Sequence, residues 1–249
     1  MLIIYLCIFF LGASLASFLN ASIYRIEKKY KYPTIITSKS HCEYCKKELS
    51  WLELIPVIGF FLLKGKCKKC KEKINIYYPL SELVLGLIFL LFFLNSITWY
   101  FWIIVLFLFV FTTYDIKYKA IPKDIVHIFL LLSSLLFYLY ILNPTNLYLP
   151  IAITLFLILV NIVKKSFGVG DILVLLGLGI LIPYQQYIVT FWGGIIIALL
   201  YTLYLLFKGV KNIRKIKVPM MPFFSLSFVI SLIYGNQLFD ILLKFLGIW

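Results

Sequence analysis

Acid is what this sequence has least of. Ten Asp and Glu stand in 249 residues against 24 Lys and Arg, and charged residues make up 14% of the chain, where a soluble domain carries roughly a quarter. Several chemistries are missing with it. No HExxH helix is present to hold a catalytic zinc and no Ser/His pair offers a nucleophile with its base, which removes the metalloprotease and serine-protease classes. No glycine-rich loop follows a strand, so a Rossmann-type nucleotide site is excluded. No basic stretch precedes the first apolar run, and the charge follows it instead, so residues 2–24 read as an uncleaved span and not as a secretory signal.

What the chain has instead is apolar surface. It is 63% hydrophobic with a mean hydropathy of +1.02, which sets it apart from soluble domains. Apolar runs at 2–24, 79–95, 97–114, 125–142, 147–163, 171–184, 187–207 and 222–246 predict an all-α polytopic membrane protein of about eight transmembrane helices. The sixth run is the shortest. The expected organisation is a first transmembrane helix at 1–24, a soluble loop at 25–78 and a polytopic membrane core at 79–249.

Lys and Arg gather on the cytoplasmic side of short loops, and here the bias is nearly total. Segment 25–78 holds 13 of them, 115–124 holds 3, 164–165 holds 2 and 208–217 holds 5, while the loops Asn95 to Thr98, Asn143 to Asn146 and Pro183 to Gln186 hold none. The basic loops are therefore expected inside and both termini outside. The net charge of +14 reads as topology and attraction to anionic lipid of the bilayer, with no nucleic-acid partner.

Acids inside apolar runs are costly and mark functional sites by default. Asp171 follows Ser166-Phe167-Gly168-Val169-Gly170 at the mouth of the sixth run, where two glycines let backbone break from its helix and another chain come close. Asp115 ends the third run, with Pro122 seven residues on. The fourth and fifth spans go out and back, which returns both aspartates to the cytoplasmic face, as a catalytic carboxylate pair requires. The competing role is helix capping, which suits Asp171 and does not suit Asp115 at a helix C-terminus, where the dipole disfavours an anion. Asp124, just after Pro122, suits an ordinary first-turn acid. Glu82 is the third embedded acid, in Tyr77-Tyr78-Pro79-Leu80-Ser81-Glu82-Leu83 at the start of the second run. Asn20 and Arg25 end the first run among small residues; Asn20 can hydrogen-bond across a helix contact, and Arg25 can pair with Glu82.

The 25–78 loop carries Cys42-Glu43-Tyr44-Cys45 and Cys67-Lys68-Lys69-Cys70. Two CxxC pairs at this spacing suit a zinc ribbon, each pair giving two thiolates to one tetrahedral ion. Two disulfides are the alternative, and the cytoplasmic placement favours zinc. His41 is a bystander beside four cysteines, and Cys7 a packing residue in the first span. Trp51 to Leu63 is too short and interrupted to span; it lies in the membrane interface or packs the metal loop onto it.

Taken in order, these features resemble the type IV prepilin peptidases, the bifunctional leader peptidases and N-methyltransferases of bacterial pilus and type II secretion systems. The motifs that carry the likeness are Ser17-Phe18-Leu19-Asn20 with Ile23-Tyr24-Arg25, the four cysteines, Tyr78-Pro79-Leu80 with Glu82-Leu83, Asp115 with Pro122, and Gly168 through Asp171. The resemblance implies Asp115 and Asp171 as the catalytic pair, type IV prepilins or pseudopilins as substrates, and S-adenosylmethionine as methyl donor. It places the enzyme in the bacterial cytoplasmic membrane. The sequence places Asn20, Arg25 and Glu82 at one depth around the root of the 25–78 loop as cofactor-binding candidates. Two departures stand out. Leu173 replaces the lysine usual two residues after the second aspartate, which leaves Lys117, Lys164 or Lys165 to supply a cation, and Pro219-Met220-Met221-Pro222 replaces the usual PFGP. A presenilin-like intramembrane protease and a transporter with a zinc-stabilised cytoplasmic domain are the alternative readings.

Overall fold

The structure is a computed structural model that describes residues 1–164, 167–209, 217–245 and 247. Lys165 and Ser166, the one an expected cation and the other the start of the glycine stretch, lie outside the described residues. The chain divides into two compact units, Met1–Thr98 and Trp99–Trp249.

In the first unit, α1 (Leu2–Glu27) packs along α4 (Tyr77–Leu94). Lipid gives apolar helices no hydrophobic reason to associate, so close backbone approach must supply the contact. Gly12 and Gly86 provide it reciprocally. A Cβ at Gly12 would lie 2.8 Å from the Leu85 carbonyl oxygen and from Phe89 Cγ, and one at Gly86 would lie 2.7 Å from the Phe9 ring. Ala13, Ala16 and Phe92 complete the seam, all fully buried. Polar bonds cross it as well, from Asn20 Nδ2 to Ser81 Oγ at 2.8 Å and from the Ser17 hydroxyl to the Glu82 carboxylate. Between these helices the insertion has two short helical turns, α2 (Thr34–Thr37) and α3 (Ile58–Leu62), and two isolated antiparallel bridges, His41 with Glu48 and Lys66 with Lys73.

The second unit comprises α5 (Trp99–Tyr118), α6 (Lys123–Leu136) with a π-helical turn over Phe137–Ile141, α7 (Thr145–Val163), α8 (Val169–Gly179), α9 (Tyr184–Phe207) and α10 (Met221–Phe245). α9 and α10 form its most extensive pair, and α10 also packs on α5. Of the eight expected spans, seven appear among the described residues as helices long and apolar enough to cross a bilayer. The sixth does not. With 11 residues, α8 covers about 16 Å of a hydrocarbon core some 30 Å thick. The helix gives way at Gly179 ahead of Pro183, and Ile180, Leu181 and Ile182 continue without it while staying buried. Non-helical backbone is tolerated at membrane depth only inside protein, and here α6, α7 and α9 surround the short helix. Beside its first turn, Leu157, Ile172, Leu175, Phe191 and Phe224 make an apolar cluster, with Phe167 and Met220 against it.

Candidate catalytic and metal sites

Asp115 lies inside α5, which runs four residues beyond its expected end, to Tyr118. The residue is buried, 8% exposed. Its Oδ2 accepts a hydrogen bond from the Met221 N–H at 2.9 Å, and Met221 opens α10. The expectation that a C-terminal position denies Asp115 a capping role is thereby corrected. Its own helix offers nothing, but the N-terminus of a different helix points an unsatisfied N–H and the positive end of a dipole at it. The substituted Pro219-Met220-Met221-Pro222 segment is what delivers this donor. Among the described residues Lys119, one turn further on, places its charge on Asp115.

Asp171 sits in the first turn of α8, whose N-cap is Gly168. Its carboxylate turns back onto the Gly168 backbone, closing the helix start in the manner of a capping box. The glycine is needed there because a Cβ would lie 2.9 Å from Asp171 Oδ2. The chain entering this turn is held by Asn161 near the end of α7. Asn161 Nδ2 donates to the Phe167 carbonyl at 2.8 Å, and the Phe167 N–H donates back to Asn161 Oδ1 at 2.9 Å. Asn161 was absent from the sequence reading because a lone amide near a helix end has no distinctive pattern. The structure brings Asp115 and Asp171 within electrostatic reach, so that the Asp115 carboxylate acts on Asp171.

In the first unit the four cysteines converge. The Sγ atoms of Cys42, Cys45, Cys67 and Cys70 all lie within 4.8 Å of one another, with Cys42–Cys70 and Cys45–Cys67 at 3.8 Å. Tetrahedral zinc with Zn–S of about 2.3 Å places its sulfurs about 3.8 Å apart, so the set fits that ion. The thiols are free and not paired as disulfides. Both knuckles have one geometry. Cys42 N–H bonds Lys47 O and Lys46 N–H returns to Cys42 O, as Cys67 N–H bonds Glu72 O and Lys71 N–H returns to Cys67 O. The Cys70 and Lys69 N–H groups pull the Cys67 thiol down to about 6, toward the thiolate a metal requires. His41 lies outside this ligand set.

Asn20, Arg25 and Glu82 all line one cavity of 280 Å³ between the roots of α1 and α4 and the cysteine loop. The ion pair with Arg25, the alternative role for Glu82, is not formed; the salt bridges among the described residues are Lys39–Glu48 and Lys47–Glu53. Each charge is engaged by the loop instead, and Glu82 also by the Ser17 hydroxyl of α1. Arg25, 4% exposed, donates to the Ile35 carbonyl at 2.8 Å and to Ser40 Oγ at 3.4 Å. Glu82 Oε2 accepts the Val57 N–H at 2.8 Å.

Two family models match in succession along the chain. The bacterial peptidase A24 N-terminal domain covers residues 10–96, and the type IV leader peptidase family covers residues 102–203. The chain is 25% identical to a prepilin leader peptidase/N-methyltransferase of Bacillus subtilis, across 95% of this chain and 97% of that protein. It is also 25% identical to the protein of the same name from Xanthomonas campestris, across 96% and 94%. A third, from Myxococcus xanthus, is 37% identical over 33% of this chain and 24% of that protein. No solved structure matches. The chain therefore belongs to the type IV leader peptidase family.

Proposed function

We propose that this integral membrane protein is an aspartyl endopeptidase that removes the basic leader of type IV prepilins or pseudopilins at the cytoplasmic face. The observation that supports it most is the convergence of Asp115 and Asp171, two acids from separate apolar helices. Two carboxylates sharing a site do not both ionise easily. One keeps its proton and hydrogen-bonds the scissile carbonyl oxygen; the other takes a proton from water as the water oxygen adds to the carbonyl carbon. Collapse of that adduct breaks the C–N bond, and the proton held by the second carboxylate passes to the departing amine. The Met221 N–H orients Asp115 through this cycle, and the Gly168 turn orients Asp171. The charge bias of the loops supports basic connections inside and both termini outside.

Cys42, Cys45, Cys67 and Cys70 would hold zinc, whose part is to close the loop into a fold that so few residues do not reach alone. S-adenosylmethionine would supply a methyl group to the new α-amine. The residues for it are Asn20, Arg25 and Glu82, which bring an amide, a cation and a carboxylate to one cavity. A presenilin-like protease and a transporter are disfavoured by the match of the cysteine-bearing segment to the A24 N-terminal domain. The test is to give the purified protein a prepilin in detergent and read the new N-terminus by mass spectrometry. Cleavage at the leader junction supports the proposal, and an intact prepilin contradicts it.

A further inference from the structure

Val57 has φ 62° and ψ −54°, a region in which a β-branched residue is an outlier. The Ile58 N–H donates to the Pro56 carbonyl at 2.6 Å, which closes a three-residue γ-turn of the strained, positive-φ kind. Such a turn persists where its surroundings over-determine it, and here they do. The Val57 N–H is bound to Glu82 Oε2. Two residues on, Gly59 is pressed so close to the preceding chain that a Cβ would lie 2.6 Å from the Glu53 carbonyl oxygen. The buried Glu82 is thus held by the loop at one oxygen and by the Ser17 hydroxyl of α1 as well, and the carboxylate is fixed.

Asn20 is fixed in the same cavity by a different route. Its Nδ2 donates to Ser81 Oγ, and the Ser81 hydroxyl donates on to the Tyr78 carbonyl at 2.9 Å. The relay settles which end of the amide is which. It leaves Asn20 Oδ1, on a residue only 2% exposed, without any partner. The cavity therefore presents an anionic acceptor and a neutral acceptor, both immobilised. A group that suits both carries positive charge and N–H donors, as an ammonium does and a sulfonium or a quaternary amine does not.

We propose that Glu82 and Asn20 form an ammonium subsite and that Val57 is its positioning residue, the strained turn holding the Glu82 carboxylate in place. The inference rests on the methyl-transfer reading of the cavity. Two molecules in that reaction carry the group: the newly exposed peptide N-terminus and the amino-acid end of S-adenosylmethionine.

The experiment compares full-length wild type, Glu82→Gln and Gly59→Ala. Its three readouts are prepilin cleavage, the KM and kcat of methyl transfer to cleaved pilin, and the Kd of S-adenosylmethionine by equilibrium dialysis. A Cβ at Gly59 meets the Glu53 carbonyl oxygen at 2.6 Å, so Gly59→Ala displaces the turn and with it the Val57 N–H. Glu82→Gln should weaken one parameter by about tenfold or more. A raised Kd assigns the ammonium to the cofactor, and a raised KM for pilin assigns it to the peptide. Gly59→Ala should raise that same parameter by about fivefold while kcat is kept. Wild-type behaviour of Gly59→Ala beside an impaired Glu82→Gln overturns the positioning role alone. Wild-type behaviour of Glu82→Gln overturns the ammonium subsite. A fall in cleavage parallel to the fall in methyl transfer makes Val57 a general fold determinant and also overturns its positioning role.

Discussion

Replacing Met221 with proline deletes one of the two main-chain N–H groups that Asp115 accepts from, those of Met221 and Met220, while leaving α10 able to start. Proline is favoured in the first turn of a helix because that turn's N–H groups have no intrahelical partner, and Met221 opens α10 directly before Pro222. The lost bond is a 2.9 Å hydrogen bond to a buried carboxylate. Bonds to charged groups contribute about 1.5–3 kcal/mol, and about 1.4 kcal/mol is tenfold in rate. If the bond orients Asp115 for the reaction, cleavage should slow by roughly 10- to 150-fold. Met221 is also fully buried, so the change removes packing as well, and the rate must be normalised to the folded fraction. Met221→Leu separates the two effects: it keeps the N–H and most of the volume, and such swaps cost under about 1.5 kcal/mol. The assay is initial-rate cleavage of a prepilin peptide in detergent, with thermal unfolding measured in parallel. Met221→Pro cutting as fast as Met221→Leu would refute the claim that the start of α10 supports the site.

Asn161→Ala removes both bonds that clamp Phe167 ahead of the Gly168 turn. Misplacement of about 1 Å can cost about a hundredfold, so cleavage should fall by one to two orders of magnitude, about 10- to 100-fold, while binding of zinc stays intact; unchanged cleavage would count against the clamp. The purified protein should contain about one zinc per chain, lost when Cys42 and Cys45 are both changed to Ser, and elemental analysis that finds no zinc with thiols paired as disulfides would contradict the metal assignment. In the same loop burial would push the Glu53 carboxyl up, but the Ser50 N–H and the Lys47 ammonium outweigh it and hold it below its ordinary 4.5. A depressed carboxylate stabilises the fold above its unfolded value and loses that contribution as pH falls through the folded one. Resistance of the 25–78 segment to limited proteolysis should therefore drop as pH falls below about 4.5 in wild type, with the Glu53→Gln variant starting lower and changing less; identical profiles would oppose this.

Much of this was legible in the residues. The spans follow from long apolar runs that leave few alternatives in lipid. The metal knuckles follow from CxxC spacing, which brings two thiols to one turn whatever lies between the pairs. Asp115 and Asp171 stood out because carboxylates are rare in apolar helices. What was not legible depends on backbone atoms and on distance along the chain. The donors to Asp115 are not signalled by any side chain: one main-chain N–H lies 106 residues away, its neighbour Met220 supplies another, and a main-chain N–H leaves no signature in the choice of side chain. The shortness of α8 was hidden because Ile180, Leu181 and Ile182 look equally apolar inside a helix or out of one. Arg25 and Glu82 carry opposite charges at similar depth, which suggested a pair; the Ile35 carbonyl and the Val57 N–H claim them first. Lys119 follows the end of α5 with φ 55°, a reversal of direction that helical spacing does not anticipate.

The central claim is that Asp115 and Asp171 act together as one proton-sharing pair. The direct measurement is single-turnover cleavage of a prepilin by Asp115→Asn and Asp171→Asn, each expressed, inserted and loaded with zinc like wild type. An amide keeps the shape of either side chain but neither holds a transferable proton in the shared position nor accepts one from water. The account predicts that each variant alone abolishes cleavage and that the double variant is no worse than either. Near-normal cleavage by one of the single variants would contradict it.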